Sequence, residues 1–407
     1  MTNSETKKFS QNVSSSYHLE DRNKNVPKLR FKGYNEEWKH LNFKSITTMI
    51  KDGTHGSYND LSEGIPLLSA KDIDNGKVII PDDCRRISLS DYNDIYKNYS
   101  LKINDILLTI VGTIGRVALV SDITNKYAFQ RSVGILRANE YNNPQFILYL
   151  LQTDFIKKQF YSKVNQSAQG GIYLDTLGKI DFKIPTLPEQ EKIASFLTLI
   201  DKKIEKQKEL VELLKKYKRG LLSQIFSQKL RFKDDNGNDY PEWKETRLEK
   251  ILKIKHGKSQ KGIECEAGKY PILATGGQIG RTNSYLWNKP CVLIGRKGTI
   301  DKPQYMETPF WTVDTLFYSE VFKENNAKYL YYLFNTINWK KYDESTGVPS
   351  LSAKTIERIK VTLSMNSSEQ HLISKFLSKF DDKIRREESL LNYLQTYKKG
   401  LLQQLFI

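Results

Sequence analysis

Cysteine is almost missing from this chain. Three residues in 407, Cys84, Cys265 and Cys291, lie far apart and form no C-x-x-C pair, which argues against a disulfide framework or thiolate zinc site and suits a reducing compartment. Histidine is scarce as well: His18, His40, His55, His256 and His371 show no metal-ligand spacing, so no resident metal is expected. No stretch approaches the ~18 continuous apolar residues of a membrane span. The first 26 residues are rich in Ser, Asn and Lys without an apolar core, unlike a secretory signal or an anchor. The expectation is a soluble, cytoplasmic protein with no membrane partner and a disordered N-terminal arm over residues 1–28. Acid is in deficit: 47 Asp and Glu against 64 Lys and Arg leave a net charge of +17. That excess suits a polyanion, nucleic acid first, because phosphate neutralisation dominates such binding. Plain solubility is the other use of the same charge.

What the chain does have is itself, twice. Shifted by 180 residues, "EQEKIASFLTLIDKKIEKQKELVELLKKYKRGLLSQIF" from Glu189 falls on "EQHLISKFLSKFDDKIRREESLLNYLQTYKKGLLQQLF" from Glu369 without a gap, and 17 of 38 positions are identical. "LRFKGYNEEWKHL" from Leu29 returns as "LRFKDDNGNDYPEWKETRL" from Leu230, "ILLTIVGTIG" from Ile106 as "VLIGRKGTID" from Val292, and "NNPQFILYLLQTDFIKKQFY" from Asn142 as "NNAKYLYYLFNTINWKKYDE" from Asn325. Internal repeats decide architecture before anything else. The order is globule (29–185), helix (186–228), globule (229–365), helix (366–407). Short β-rich runs with Gly, Asn and Asp turns around one amphipathic helix give each globule an α+β pattern. Between the landmarks the two copies diverge, as one scaffold carrying two different ligands would.

Both helical segments open with a start signal, Thr186-x-x-Glu189 with Pro188 in the first turn, and Asn366 with Glu369. Apolar residues then step by four and three: Ile193, Leu197, Ile200, Ile204, Val211, Leu214, Leu221 and Ile225, and in the second copy Ile373, Leu377, Phe380, Ile384, Leu391, Leu394, Leu401 and Leu405. This is the seam of a two-stranded coiled coil. Polar residues interrupt it at matching places, Gln207 and Glu387, then Lys218 and Lys398, where they are expected to fix register. Gly220 and Gly400 are expected to kink or break each helix before its last apolar turn. A helix of about 38 residues is about 57 Å long, and the linker from Ser227 to about Glu242 is short. The second helix therefore runs back along the first, antiparallel, with pseudo-two-fold symmetry made by one chain.

The paired endings "YKRGLLSQIF" and "YKKGLLQQLF", the lead-ins "IPTLPEQEKIASFL" and "SMNSSEQHLISKFL", and the repeated "GTIG" and "GTID" resemble the specificity (S) subunit of type I restriction-modification enzymes, over nearly the whole chain from about Leu29. The resemblance implies two target recognition domains, each reading half of a bipartite asymmetric DNA site, separated by spacer helices. It implies a chain without a catalytic centre or cofactor of its own. Two methyltransferase (M) subunits using S-adenosylmethionine and two restriction (R) subunits using ATP and Mg are the implied partners, besides double-stranded DNA. The M subunits would dock on the helices through a second apolar row beside the seam: Phe196, Leu210, Tyr217, Leu222 and Phe226, with Phe376, Leu390, Tyr397, Leu402 and Phe406. The same row could instead pack on the chain's own globules. The second copy departs from the first at Asp301, where the first has Gly115, and lacks the prolines Pro185 and Pro188.

Intrinsic catalysis is not expected. "NNPQF" at Asn142 resembles the N-P-P-[FY] tetrapeptide of adenine methyltransferases, but its second proline is replaced by Gln145 and its duplicate "NNAKY" has none. Asn143 capping a helix that starts at Pro144 accounts for it better. "VGTIGR", "TGGQIGR" and "GRKGT" do not match G-x-x-x-x-G-K-[ST] and read as tight turns or close approaches of backbone. Base readout needs Arg, Lys, Asn or Gln at groove edges. The candidates are the cationic and amide residues of Gly-flanked loops: Lys71, Arg116, Arg131 and Gln169 in the first globule, and Lys258, Lys261, Arg281, Arg296 and Lys297 in the second. The rival reading from another class is a coiled-coil structural adaptor without sequence-specific DNA binding.

Overall fold

Runs such as "ILLT" and "CVLIG", apolar at nearly every position, suit strands covered on both faces. The computed structural model, which describes residues 13–15, 25–74, 76–164 and 170–407, makes them central strands. The chain divides into two units, Met1–Lys206 with Leu390–Ile407, and Gln207–Ser389. Both are α+β, and each long helix gives one part to each unit.

In unit 1 a four-stranded antiparallel sheet contains β1 (Thr47–Asp52), β2 (Ile106–Thr109), β3 (Val117–Leu119) and β4 (Val133–Ala138), in the order β3-β2-β4-β1. Helix α1 (Pro144–Gln152) follows, then the long α2 (Leu187–Phe226). Unit 2 repeats the sheet with β5 (Leu252–Lys255), β6 (Cys291–Gly295), β7 (Gln304–Met306) and β8 (Leu316–Val321), in the equivalent order β7-β6-β8-β5. Helix α3 (Ala327–Phe334) and the long α4 (Ser367–Leu405) complete it. Each unit also carries a three-stranded sheet in which Ala128–Phe129 pairs parallel with Ile65–Leu68, as Trp311–Thr312 does with Tyr270–Ala274. Their third strands differ, Arg86–Ile87 in one unit and Gly277–Thr282 in the other. The repeated scaffold and its divergent additions are thus separable by strand.

The repeated motifs form equivalent joints. Asn143 and Asn326 cap α1 and α3, each side-chain oxygen accepting from a backbone N–H three residues on at 2.9 Å. This is the capping role expected of "NNPQF". Gln190 then accepts from the Asn143 N–H at 2.9 Å and donates to the Pro185 carbonyl at 2.9 Å, while Gln370 does the same with Asn326 and Ser364 at 2.7 Å each. The "NN" and "EQ" motifs are two halves of one joint. Glu189 and Glu369 do not complete capping boxes through their side chains: Glu189 binds Arg30 through both carboxylate oxygens at 2.8 Å, and Glu369 accepts from Trp243 Nε1 at 3.0 Å.

The seam is buried as its spacing requires, with Ile204, Phe380 and Leu391 only partly so. In unit 2, Gln207 Nε2 donates to the Glu387 carboxylate at 2.7 Å and Lys218 pairs with Asp381, so the α2 number rises as the α4 number falls and the pair is antiparallel. In unit 1 Lys398 pairs with Asp201 at 2.7 Å. The two seam lysines therefore find the same aspartate, 180 residues apart, and Tyr149 and Tyr332 donate to those aspartates. Of the kink or break expected at Gly220 and Gly400, the break does not occur: α2 and α4 run through both glycines. Intrahelical hydrogen bonding continues there despite a cost of about 1 kcal/mol per glycine relative to alanine.

Within the stretch expected to be disordered, Val13–Ser15 pairs antiparallel with Leu29–Phe31. The rest of residues 1–24, His18 included, lies outside the described residues. No helix among the described residues is long and apolar enough to cross a membrane.

Candidate nucleic-acid interface

One end of each central sheet is a rim of loops tied together by backbone. In unit 1 the Thr54 N–H donates to the Phe129 carbonyl at 2.8 Å, Arg131 N–H to Thr54 at 2.9 Å, Ile110 N–H to Ser132 at 2.9 Å, and Ile172 N–H to Ile110 at 2.9 Å. In unit 2 three equivalent ties run from Lys258 to Thr312 at 2.8 Å, Arg296 to Thr315 at 2.8 Å and Leu351 to Arg296 at 2.9 Å. Three of the four ties thus recur at equivalent positions, while the side chains do not match; the Lys258 carbonyl, which corresponds to that of Thr54, accepts instead from Trp311 Nε1 at 2.9 Å. Thr54 stands where Lys258 does, Ile110 where Arg296 does, and Val111 where Lys297 does.

Glycine makes the rims possible. A Cβ on Gly53 would lie 2.2 Å from the Phe129 carbonyl oxygen, and one on Gly257 2.0 Å from that of Val313. Neither was singled out in the sequence, because a close approach of two strands leaves no periodic signal; the matching glycine after β1 and β5 was the available clue. Gly112 and Gly298, in "VGTIG" and "RKGTI", have φ of 77° and 85°, the left-handed turn that glycine adopts without strain.

The sequence-predicted residues fall on these rims unequally. Lys71 and Arg131 are exposed on rim loops of unit 1, and Arg116, half-buried, follows the Gly112 turn. Lys258 and Lys297 are exposed on the unit 2 rim, and Lys261 is exposed on the loop that leaves it. Arg296 is half-buried, its guanidinium donating to the Asp314 carbonyl at 3.3 Å and lying 3.6 Å from the Asp314 carboxylate. Arg281 departs from the expectation of a base reader. Its Nε donates to the Gly268 carbonyl at 2.6 Å and its Nη2 to that of Lys269 at 2.9 Å, so it holds the turn beside Cys265 and positions that loop. Gln169 lies outside the described residues.

The expected docking row is split by packing. Phe406 sits against Trp38 and Phe146 in unit 1, at ring-centroid distances of 6.4 and 5.0 Å, and Phe226 against Trp243 and Tyr329 in unit 2, at 5.9 and 5.4 Å. Leu222 and Leu402 are buried in the same cores. Leu222, Leu402 and Phe406 are corrections to the row: a side chain already removed from water by its own core gives little further apolar burial to a partner, whereas Phe226 is only partly buried. Phe196, Phe376 and Tyr397 are partly covered by the same cores. Leu210, Tyr217 and Leu390 remain exposed, Tyr217 at 57%.

The cysteines offer a local probe of the rim. Cys265 is exposed on the loop that Arg281 holds, whereas Cys84 and Cys291 are buried, and burial pushes the Cys291 thiol up to about 12. Thiolate is the reactive form, so maleimide should modify native protein at Cys265 alone and reach the other two only after unfolding. Intact-mass analysis and peptide mapping check this; modification of Cys291 in the folded chain would contradict its placement.

A duplicated α+β scaffold with a variable, cationic loop rim on each copy and an antiparallel helical pair defines a DNA-specificity class of protein. The profile described as "Type I restriction modification DNA specificity domain" matches residues 35–215 and 240–396. The chain belongs to that family, as a type I restriction-modification specificity subunit. It is 25% identical over 406 residues to the putative type I restriction enzyme MjaX specificity subunit of Methanocaldococcus jannaschii, covering 91% of this chain and 93% of that protein. The MjaVIII specificity subunit of the same organism is 26% identical over 209 residues, 49% of this chain and 48% of its own length. That second match thus spans about half of its relative. Among solved structures, the type I restriction-modification S subunit of M. genitalium matches with a TM-score of 0.61 at 21% identity, covering 94% of this chain and 99% of that one. This likeness supports the fold.

Proposed function

We propose that each unit reads one half of a bipartite, asymmetric DNA site through its loop rim, and that the helical pair spaces the units and docks methyltransferase subunits. The carrying observation is that the two rims share three backbone ties at equivalent positions while differing in side chains. One scaffold presenting two unlike edges is what reading two unlike half-sites requires. Lys258, Lys297 and Lys261 in unit 2, and Lys71, Arg116 and Arg131 in unit 1, are the proposed phosphate and base contacts. Leu210, Tyr217 and Leu390 are the proposed docking contacts that packing leaves accessible. The chain itself supplies no chemistry in this reading. Methyl transfer from S-adenosylmethionine to adenine N6, and ATP- and Mg-dependent cleavage, belong to two M and two R subunits acting with it in the cytoplasm.

Co-expression with a cognate M subunit, followed by single-molecule sequencing of host DNA for N6-methyladenine, tests this directly. A bipartite motif, methylated on both strands and absent without this chain, is expected. Lys258→Glu with Lys297→Glu should reduce methylation at every occurrence of the motif. A complex that forms with the M subunit but leaves no motif would favour the adaptor reading.

A further inference from the structure

Unit 2 has a second cationic feature, at the opposite end of its central sheet from the rim. The strand β6 leaves the rim at Gly295 and reaches Pro290 about 16–17 Å away at the rise of a strand, where a groove of about 760 Å³ opens between the β7 edge, the start of α3 and the first turns of α4. Tyr305, Phe322 and Pro290 contribute apolar surface to it, and Phe322 is 37% exposed. Lys289, Lys323, Lys328, Lys375 and Lys379 surround that surface, with His371 beside them. None of the five lysines makes an ion pair among the described residues. Asp382, at one margin, is the acidic residue of the lining.

The equivalent surface of unit 1 lacks these cations. Matching the N-caps Asn143 and Asn326, and shifting the long helices by 180 residues, sets Glu140 against Lys323, Gln145 against Lys328, Glu191 against His371, Ser195 against Lys375 and Leu199 against Lys379. The fold therefore does not demand the lysines. They occur in one copy, on a surface built by equivalent elements in both.

We propose that this groove binds an acidic, amphipathic segment of a partner protein. A floor of aromatic and apolar side chains ringed by ammonium groups without carboxylate partners complements a segment with Glu or Asp on one side and a large apolar residue on the other. A nucleic-acid backbone would satisfy the lysines and leave the apolar floor in water. The groove's distance from the rim along β6 also separates it from the proposed DNA-reading edge. This inference goes beyond the DNA-reading proposal and stands on a different surface.

The test uses the intact chain and a fluorescein-labelled peptide of Glu, Leu and Trp arranged as an acidic amphipathic helix. Fluorescence anisotropy should show binding that weakens roughly tenfold when Gln replaces Glu in the peptide. The K323E/K375E/K379E variant should weaken binding by roughly tenfold or more. K202E/K208E/K216E, an equal charge change on exposed helix positions, should stay within about twofold. Thermal melts verify folding, and Lys→Gln at the same three groove positions serves if charge reversal lowers the melting temperature. Equal loss in both triple variants, or no loss in either, overturns the proposal. So does a groove variant that retains the peptide but loses a random duplex oligonucleotide, since the groove would then be a phosphate track.

Discussion

Glu189→Ala should destabilise unit 1 by about 3–5 kcal/mol, the range for stripping one partner from a buried ion pair. Arg30 Nε and Nη2 reach the two Glu189 oxygens at 2.8 Å each, and the two side chains are 10% and 2% exposed. Alanine would leave the guanidinium desolvated, with the Glu36 carbonyl at 2.6 Å as its remaining acceptor. For a unit of this size the loss corresponds to a melting shift of roughly 10 °C. Calorimetry of the full chain should show one of two transitions moving while the other stays. The duplicate supplies an internal control, because the equivalent residues Arg231 and Glu369 do not pair there. Arg231 faces Glu242, which is 85% exposed, and Glu369 accepts from Trp243 while its other oxygen has no partner. Glu369→Ala should therefore cost much less, about 1 kcal/mol. The double replacement Arg30→Met with Glu189→Leu should recover most of the loss, since apolar residues of similar volume avoid the desolvation of both charges. Equal effects of Glu189→Ala and Glu369→Ala would show that the buried pair is not what distinguishes the units.

Removing one heptad from both long helices should shorten the preferred gap between half-sites by about three base pairs. Seven residues of helix rise about 10.5 Å, and duplex DNA rises about 3.4 Å per pair. Asp201 and Lys218 are seventeen residues apart on α2, and their partners Lys398 and Asp381 are seventeen apart on α4. A matched deletion, for example residues 204–210 with 384–390, keeps these spacings equal and nearly preserves the facing of the seam, since a heptad drifts only about 20° from whole turns. Deleting seven residues from α2 alone makes the spacings unequal and cannot preserve both Lys–Asp pairs. It should abolish methylation with a cognate M subunit rather than shift the motif. The motif recovered by single-molecule sequencing decides between the outcomes. An unchanged gap after the matched deletion would refute the helices' role as a ruler.

Much of this architecture was legible in the sequence because repetition and periodicity are local. The 180-residue shift exposed the duplication, the step of three and four exposed the seam, and "NNPQF" beside "NNAKY" separated a helix cap from a methyltransferase tetrapeptide. Polar interruptions of the seam were legible as well, and the structure pairs Gln207 with Glu387 and Lys218 with Asp381. The glycines of the helices were read as a kink or a break, and neither breaks its helix: a glycine within an apolar period is permitted to stay helical when its neighbours are packed, and packing is not a local property.

Sequence by itself determined that one chain carries two α+β copies and two long amphipathic helices, since hydrophobic period and self-similarity dictate which faces must leave water. Tertiary structure alone decided which residues those faces meet. It placed Phe406 in an aromatic cluster of one core and packed Phe226 against the other, tied Arg281 to two carbonyl oxygens, joined Gln190 and Gln370 to the asparagine caps, and gathered five lysines from four separate segments around one groove. Such contacts join residues tens to more than a hundred positions apart, and no periodicity records them, because they depend on where the backbone returns and on how much volume each side chain finds there.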